Sequence, residues 1–326
     1  MKIAVAEGDG IGHEVVPVAR HVLECFMPDA DYSDVELGYG KWQRTGTACS
    51  DDDMDELRSA DAILFGAITT PPSGEYGSVL LRIRHELDLY ANIRPVKGER
   101  CDLVIVRENT EGLYSGIEWR EKDRACTLRV VTEAGSRRIA KYACRLTEKR
   151  GGHLTVGNKA NVMKSDVLFR EVCLEEAAKA GIRCTPMLID ALALDILTRP
   201  ERYDVIVTTN MFGDILSDMA GYLVGGLGLL PSANIGKEHA FFEPVHGSAP
   251  DIAGTNTANP IAAVRSAAMM LTHLGLENEA GLVETSIGNL LARGISTPDL
   301  GGTAGTDLFG DVLVQEIRTL MKETGA

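Results

Sequence analysis

The chain has 326 residues, 44% hydrophobic and 25% charged, the balance of a folded globular protein with room for one large or two ordinary domains. Acidic residues outnumber basic ones by 47 to 33, a formal charge of -14 that argues against a nucleic-acid binder, because counterion release needs clustered Lys and Arg. The start MKIAVAEGDG lacks the basic region and long apolar stretch of a signal peptide, and no run of about 20 apolar residues suits a membrane span.

Short Val/Ile/Leu runs alternate with longer helical patterns, which predicts an α/β protein with a mainly parallel sheet. Residues 2–6 read as a strand, followed by a helix from about Ile11 to Phe26. Next come a strand over 62–65, a helix over 79–87 and a buried strand over 103–106. Residues 127–132 read as an extended arm and 133–149 as a long helix. The pattern continues with strand 154–156, helix 166–180, strand 204–208 and a helix from 212 to about 223. Residues 225–236, GGLGLLPSANIG, are too rich in Gly and Pro for a long regular element and read as a loop crossing. Three helices close the chain, over 260–274, 277–293 and 309–324. Punctuation marks no single linker, as expected if one domain is built from both ends of the chain. The seven cysteines are scattered without CxxC spacing, which predicts buried thiols in a reducing cytoplasm and not a disulfide framework or a zinc site.

Gly8, Asp9, Gly10, Ile11 and Gly12 lie between a strand and a helix and invite comparison with the dinucleotide fingerprint. The spacing is G-x-G-x-G, however, with His13 where the third Gly belongs, and a tight structural turn explains it at least as well. Asp214 and Asp218, in MFGDILSD, are four apart and share one face of the predicted helix. Two carboxylates among Met, Phe, Ile and Leu need a compensating cation, and a hard divalent ion with oxygen ligands is a natural one. Asp190, in MLIDALALDIL, reads equally as a third ligand or as a helix N-cap.

An acidic protein that takes an anionic substrate needs a local cluster of Arg, the side chain suited to bidentate capture of carboxylates. Arg84, Arg94 and Arg107 stand in apolar or structured settings, and Arg107 ends a buried strand. Taken singly, each reads as an ion pair with a nearby Glu; taken with the three Asp, they read as a metal-and-carboxylate site. Tyr114 follows in the turn-rich ENTEGLYSG, and Lys159 directly follows strand 154–156. Beside a cation a phenol can serve as an acid and an amine as a base, though composition alone leaves both as surface residues. Residues 243–260, EPVHGSAPDIAGTNTANP, form a run whose backbone can approach a ligand closely. His246 has no Ser or Cys partner in a nucleophile motif, so a hydrolase triad is unsupported.

With these residues in view, the chain resembles the β-decarboxylating dehydrogenases, the isocitrate/isopropylmalate dehydrogenase family, over about residues 3–315. The resemblance rests on GDGIG at 8–12, RENTEGLYSGIE at 107–118, NKANVMK at 158–164, FGDILSD at 212–218 and EPVHGSAPDIAG at 243–254. It implies a large α/β cofactor-binding domain from residues 1–92 and 225–326, with a smaller α/β domain at 93–224 carrying a dimer interface and an arm near 116–132. It also implies that Arg84, Arg94 and Arg107 bind the malate carboxylates and that Asp214 and Asp218 hold Mg²⁺ or Mn²⁺. Asp190 and Lys159 would come from the other subunit of a homodimer, Lys159 as the base at the C2 hydroxyl, and Tyr114 would protonate the enolate after CO₂ leaves. NAD would be gripped by Glu243, His246, Gly247, Ser248, Ala249, Pro250, Asp251, Ile252 and Asn259, with Ile11, Thr69 and Thr70 alongside. Asp251 suits a ribose diol and repels a 2′-phosphate, and relatives that prefer NADP carry Lys and Tyr where this chain has Asp251 and Ile252.

In the same resemblance, residues ahead of Arg84 read the substituent of the substrate, here Ser78, Leu80 and Leu81, with Asn161 and Val162 nearby. Leu80, Leu81 and Val162 suit the isopropyl group of 3-isopropylmalate, whereas Ser78 suits the extra carboxylate of homoisocitrate or isocitrate. Two positions depart from the common pattern: Tyr76 and Gly77 stand where a glutamate is typical, and Asn158 where a His precedes the Lys. A non-enzymatic regulatory homologue would be expected to lose at least one of the eight charged or phenolic site residues, and all eight are present. A dehydrogenase without a metal is a further alternative, separable by its response to EDTA.

Overall fold

The computed structural model describes residues 1–71 and 76–324. In chain order the elements begin with β1 (Lys2–Gly8), α1 (Gly12–Phe26), β2 (Asp31–Asp34), α2 (Tyr39–Thr45), α3 (Asp51–Ser59), β3 (Ala62–Ala67), α4 (Val79–Glu86), β4 (Ala91–Gly98) and β5 (Cys101–Glu108). The middle holds β6 (Glu118–Arg120), β7 (Ala125–Thr127), α5 (Glu133–Arg150), β8 (Leu154–Asn158), α6 (Lys164–Lys179), β9 (Cys184–Leu188), α7 (Ile189–Thr198), β10 (Val205–Thr208) and α8 (Asn210–Gly221). Then follow β11 (Pro231–Ile235), β12 (Ala240–Pro244), α9 (Ile261–His273), α10 (Glu277–Ala292) and α11 (Thr306–Thr324).

The chain divides into two compact units, one comprising residues 1–83, 227–233 and 238–326, the other residues 84–226 and 234–237. The divisions expected from sequence fall at 92/93 and 224/225.

In the first unit the strands run β2-β1-β3-β12-β11, with β1 parallel to β2 and β3, and β3 parallel to β12. AILFGA in β3 is buried along its whole length, the continuous apolar run that a strand covered on both faces requires. Phe65 and Phe241 meet across this sheet with ring centroids 4.9 Å apart. Helix α1 buries Val15, Val16, Ala19, Val22 and Leu23, one face at helical spacing, and packs on α9 and α11. Burying each such Val or Leu contributes about 1.5–3 kcal/mol relative to leaving it exposed.

The Gly8–Gly12 turn is structural in its own right. Gly8 and Gly10 adopt φ of +77° and +59°, and a Cβ on either would lie 2.0 Å from a carbonyl oxygen, of Ala67 and Ser248 respectively. The Asp9 carboxylate is buried there and accepts backbone N–H bonds from Tyr39, Gly40 and Thr69 at 2.8, 2.8 and 2.9 Å.

In the second unit the order is β4-β5-β10-β8-β9, antiparallel for β4 with β5 and parallel from β5 onward. Pro186 stands on the edge strand β9, where a missing donor is tolerated. Helix α5 starts at Thr132, whose side chain accepts from Gly135 N, and stops at Gly151 in the left-handed region. It buries Ile139, Ala140, Ala143, Cys144 and Thr147 and packs on α6. Strands β6 and β7 form a separate exposed hairpin, continued by a bridge from Gly112 to Val130. That hairpin fills most of 116–132, the arm that the resemblance implies, whereas of residues 127–132, read as extended, only Thr127 lies in it.

One expectation is overturned. Residues 225–236 contain a strand, β11, where the sequence reads as loop. Its polar residues Ser232 and Asn234 are fully buried, so composition misleads: Asn234 accepts from Asn92 and Asn109 inside the fold instead of facing solvent. Likewise Glu243 and Pro244 end strand β12, and the loop proper begins after them. The seven cysteines are all free, and among the described residues no helix is long and apolar enough to cross a membrane.

Candidate active site

In the second unit β5 delivers Arg107 at its carboxyl end, and α8 lies against that strand. The close approach needs Gly213, since a Cβ there would lie 2.7 Å from Arg107 Cβ and Cγ. Asp214 follows on α8 and accepts from Arg107 Nη1, with Arg94 Nη1 at 3.3 Å. One turn on, Asp218 accepts from Arg94 Nη1 at 3.1 Å. The two carboxylates therefore share one helix face, as their spacing predicts, and both meet the Arg94 guanidinium. Tyr114, in the turn after β5, donates its hydroxyl to Asp214 Oδ2 at 3.1 Å, and the Arg107 guanidinium carbon lies 5.4 Å from the centroid of its ring.

Arg84, Arg94 and Arg107 are all at least nine-tenths buried. Burial pushes the Arg107 guanidinium down, and the charges of Arg94 and Arg84 push the same way. An Arg still keeps its proton at neutral pH, so the trio is a concentrated positive site in an acidic protein. Burial raises the Asp214 carboxyl, but Arg107, Arg94 and the Tyr114 hydroxyl together outweigh it and leave the group below the usual range. Asp218 ends on the other side, raised above all by burial, with Arg94 opposing and Asp214 adding repulsion. Tyr114 is also raised, by burial and then by Asp214, and stays a protonated acid.

The donor set fits a hard divalent cation. Burial, with the repulsion of Asp214 added to it, makes Asp218 hold its proton more tightly, and the oxygens of the two carboxylates are the ligands Mg²⁺ or Mn²⁺ prefer. Asp190 does not join them within one chain: among the described residues no three His, Cys, Asp or Glu converge on a metal-sized space. Asp190 lies on α7 and accepts from Lys159 Nζ at 2.7 Å, its side chain 63% exposed. That hydrogen bond, with the group's own backbone N–H, lowers its carboxyl. The N-cap reading of Asp190 is not upheld, because Leu188 is the capping residue.

Lys159 sits on a rigid turn. Its backbone N–H donates to the buried Asp166 at 2.6 Å, and Asn158 before it donates to Val156 O and Met187 O at 3.0 Å each. Asn158 thus clamps β8 to β9. Asn161 and Val162 are exposed on the following turn, Val162 by 71%.

In the first unit the candidate cofactor residues gather around one loop. Ile11 N donates to Ser248 O at 2.9 Å, and Thr69 Oγ1 lies 2.7 Å from Ser248 Oγ. Ala249 adopts φ +38°, uncommon for a residue with a Cβ, and Gly247, Pro250, Asp251 and Ile252 are exposed, as is Thr70. Asn259 donates to Asp299 at 3.0 Å and accepts from Ile261 N at the start of α9. Glu243 is buried at the end of β12. His246 Nδ1 pairs with Gly247 O at 3.0 Å, which makes Nε2 the free acceptor, and that buried atom has no partner. Burial lowers the His246 imidazole and keeps it neutral. An orphaned acceptor beside an exposed Gly-Ser-Ala-Pro turn fits a hydrogen-bonding cofactor.

Substrate-facing candidates divide by element. Leu80 and Leu81 are partly buried on the first turn of α4, four and three residues before Arg84 and so on its face of the helix. Ser78 Oγ meets Leu81 N at 3.4 Å, at the helix start. Tyr76 is buried, edge-on to Tyr39 and Trp42, so its side chain packs instead of facing outward.

Sequence reasoning missed the residues that hold the guanidiniums. Asn92 accepts from Arg94 Nε at 2.7 Å, Ser217 accepts from Arg94 Nη1 at 2.7 Å, and Asn210 accepts from Arg107 Nε and Nη2 at 3.1 and 2.7 Å. The available signal was an amide in an otherwise apolar strand, YANIRPV, and one at the head of the Asp-bearing helix, TTNMFGD.

Comparison with known proteins places these features. The profile of the isocitrate/isopropylmalate dehydrogenase family matches residues 2–313. The chain is 46% identical to the isocitrate/homoisocitrate dehydrogenase of Thermus thermophilus, over 98% of this chain and 99% of that one. It is 46% identical to the 3-isopropylmalate/3-methylmalate dehydrogenase of Methanocaldococcus jannaschii, over 97% and 99%. Among solved structures, the isocitrate dehydrogenase of Methylococcus capsulatus superposes with a TM-score of 0.93 at 39% identity, covering 97% of this chain and 99% of that one. With its fold, its full set of motif residues and relatives of this closeness, the chain belongs to the isocitrate/isopropylmalate dehydrogenase family and is an oxidatively decarboxylating dehydrogenase.

Proposed function

We propose that this enzyme oxidises and decarboxylates a 3-substituted malate with NAD and Mg²⁺ or Mn²⁺, and that the substrate is 3-isopropylmalate, giving 2-oxoisocaproate as leucine biosynthesis requires. The observation that carries the reaction is the buried Arg84–Arg94–Arg107 trio beside Asp214, Asp218 and Tyr114. Three guanidiniums bind the two malate carboxylates and fix C2 and C3 of the substrate. Asp214 and Asp218 would hold the divalent ion, together with Asp190 from a second copy of the chain. The exposure of Asp190, Asn161 and Val162 in a single chain supports that sharing, and Lys159 travels with Asp190 through their hydrogen bond.

When bound, the divalent ion supplies Lewis acidity to the alcohol and the nicotinamide supplies the hydride acceptor. Lys159 takes the C2 hydroxyl proton as hydride leaves C2. The β-carboxylate then departs as CO₂, its bonding electrons forming the enolate, and Tyr114 returns a proton to C3. A phenol raised by burial and by Asp214 is protonated at neutral pH, as that step requires.

NAD is favoured over NADP by Asp251, an exposed carboxylate on the cofactor loop that would repel a 2′-phosphate. Leu80 and Leu81 favour an isopropyl substituent, each buried methylene contributing about 0.8 kcal/mol. Ser78 at the head of α4 favours a second reading, homoisocitrate or isocitrate with a further carboxylate, and relatives carry both kinds of name. The kcat/KM values with 3-isopropylmalate, homoisocitrate and isocitrate decide: 3-isopropylmalate is expected to be highest, and a higher value for either tricarboxylate would overturn the assignment.

A further inference from the structure

The groups behind the guanidiniums are uncharged. Asn210, at the head of α8 and 1% exposed, accepts from both Nε and Nη2 of Arg107, while its own Nδ2 donates to Glu111 O at 3.1 Å. Asn92, fully buried on β4, accepts from Arg94 Nε, and its Nδ2 donates to Asn234 Oδ1 at 2.9 Å. Asn234 also accepts from Asn109 Nδ2 at 2.9 Å, and Asn109 donates to Leu89 O at 3.0 Å. Buried amides thus stand behind two of the three arginines: Asn210 alone behind Arg107, and the linked Asn92, Asn234 and Asn109 behind Arg94.

Buried guanidiniums are more often held by carboxylates, which give shorter and stronger charge-assisted bonds. A carboxylate behind Arg107 or Arg94 would cancel the positive charge that must attract the substrate. An amide oxygen orients the same N–H edge and adds no negative charge beyond that of Asp214 and Asp218 on the site face. We propose that Asn210 and Asn92 are positioning residues that aim Arg107 and Arg94 while keeping both guanidiniums uncompensated from behind, so that their charge is spent on the substrate carboxylates. Asn234 and Asn109 hold Asn92 in the orientation that presents its oxygen. The inference rests on the reading of Arg107 and Arg94 as substrate ligands.

The test compares Asn210→Asp with Asn210→Ala, and Asn92→Asp with Asn92→Ala, using the intact enzyme with NAD, Mg²⁺ and 3-isopropylmalate. Both replacements lose the Nδ2 donor; Asp keeps the volume and the acceptor and adds a charge, whereas Ala removes the acceptor and the volume with no charge. A role confined to hydrogen bonding makes Asp the better replacement, because it retains the acceptor. Charge sparing makes Asp the worse one: its substrate KM is expected to exceed that of the Ala variant by about tenfold, with KM for NAD and the melting temperature little different between the two. An Asp variant that binds substrate as well as or better than the Ala variant overturns the proposal. The second position supplies the same comparison should either Asn210 variant fail to fold. Arg107→Gln separates the two levels. If it leaves substrate KM unchanged, the substrate-binding reading fails; if it raises KM by about a hundredfold and the Asp/Ala order is reversed, only the amide inference fails.

Discussion

Arg107 and Asp214 meet where β5 ends and α8 begins, Nη1 on Oδ1, with Gly213 giving the backbone room for the contact. The contact places one strand's cation and one helix's anion on the same small surface, with Arg94 reaching Asp214 and Asp218 from β4. Each partner is buried enough that removing one alters the other's charge balance. The chemistry proposed for the site is built on this pair.

Divalent ions should stabilise the protein through Asp218. Its carboxyl is raised in the folded chain, so its ionisation costs stability once pH rises past the unfolded value of about 3.9. Asp214 has the opposite sign: its depressed value contributes stability above about pH 3.9 that is lost as pH falls through the folded value. Thermal melts at pH 7.5, an ordinary assay pH of roughly neutral to mildly basic, should show Mg²⁺ or Mn²⁺ raising the wild-type midpoint. Asp218→Asn should melt higher than wild type without metal and gain nothing from it. Asp214→Asn should keep the fold and lose metal-dependent turnover.

Tyr114→Phe is expected to lower kcat by about 10²–10⁴, the usual worth of a positioned acid, with substrate KM changed much less. Because Tyr114 is raised above the ordinary phenol value of about 10, wild-type activity should persist to alkaline pH and fall only as the phenol ionises. The Phe variant's residual activity should lack that limb in a kcat–pH profile.

Sharing of residues between copies can be read by mixing two inactive variants. Lys159→Ala and Asp214→Asn should each be inactive alone. After subunit exchange the mixture should recover on the order of a quarter of wild-type sites, because half the dimers are hybrids with one intact site. Differently tagged copies, recovered together by tandem affinity purification, confirm that exchange occurred, and no recovery in exchanged dimers would place the whole site within one chain.

Cofactor choice is expected to turn on Asp251. Replacing it with Lys, together with Ile252→Tyr, should shift the NADP-to-NAD ratio of kcat/KM toward NADP by at least about tenfold, or about 1.4 kcal/mol. Both side chains are exposed on the loop, so the melting temperature should hardly move.

Much of the site was legible because its residues break local rules. Asp214 and Asp218 in an apolar helix, and Arg107 ending a buried strand, are charges that need a reason. The long helices were legible from period alone, as α5 with its Thr132 cap and Gly151 stop illustrates. What stayed hidden was polar burial. PSANI in β11 reads as loop because Ser232 and Asn234 are polar yet buried, Asn234 pairing with Asn92 and Asn109 far along the chain, and Asn92 shows its purpose only once Arg94 lies against it. In β4, Pro95 masked a strand that pairs with β5 along its whole length. At the glycine turn of 8–12 the spacing points to a tight structural turn at least as readily as to a ligand, and Asp9 is indeed occupied by three backbone N–H groups.

The most direct test follows CO₂ release and NADH formation together from 3-isopropylmalate and NAD, with EDTA and then with Mg²⁺ or Mn²⁺ restored. One CO₂ for each NADH, abolished by chelation and recovered with the ion, is the predicted result. Undiminished NADH formation in EDTA, or NADH without CO₂, would contradict it.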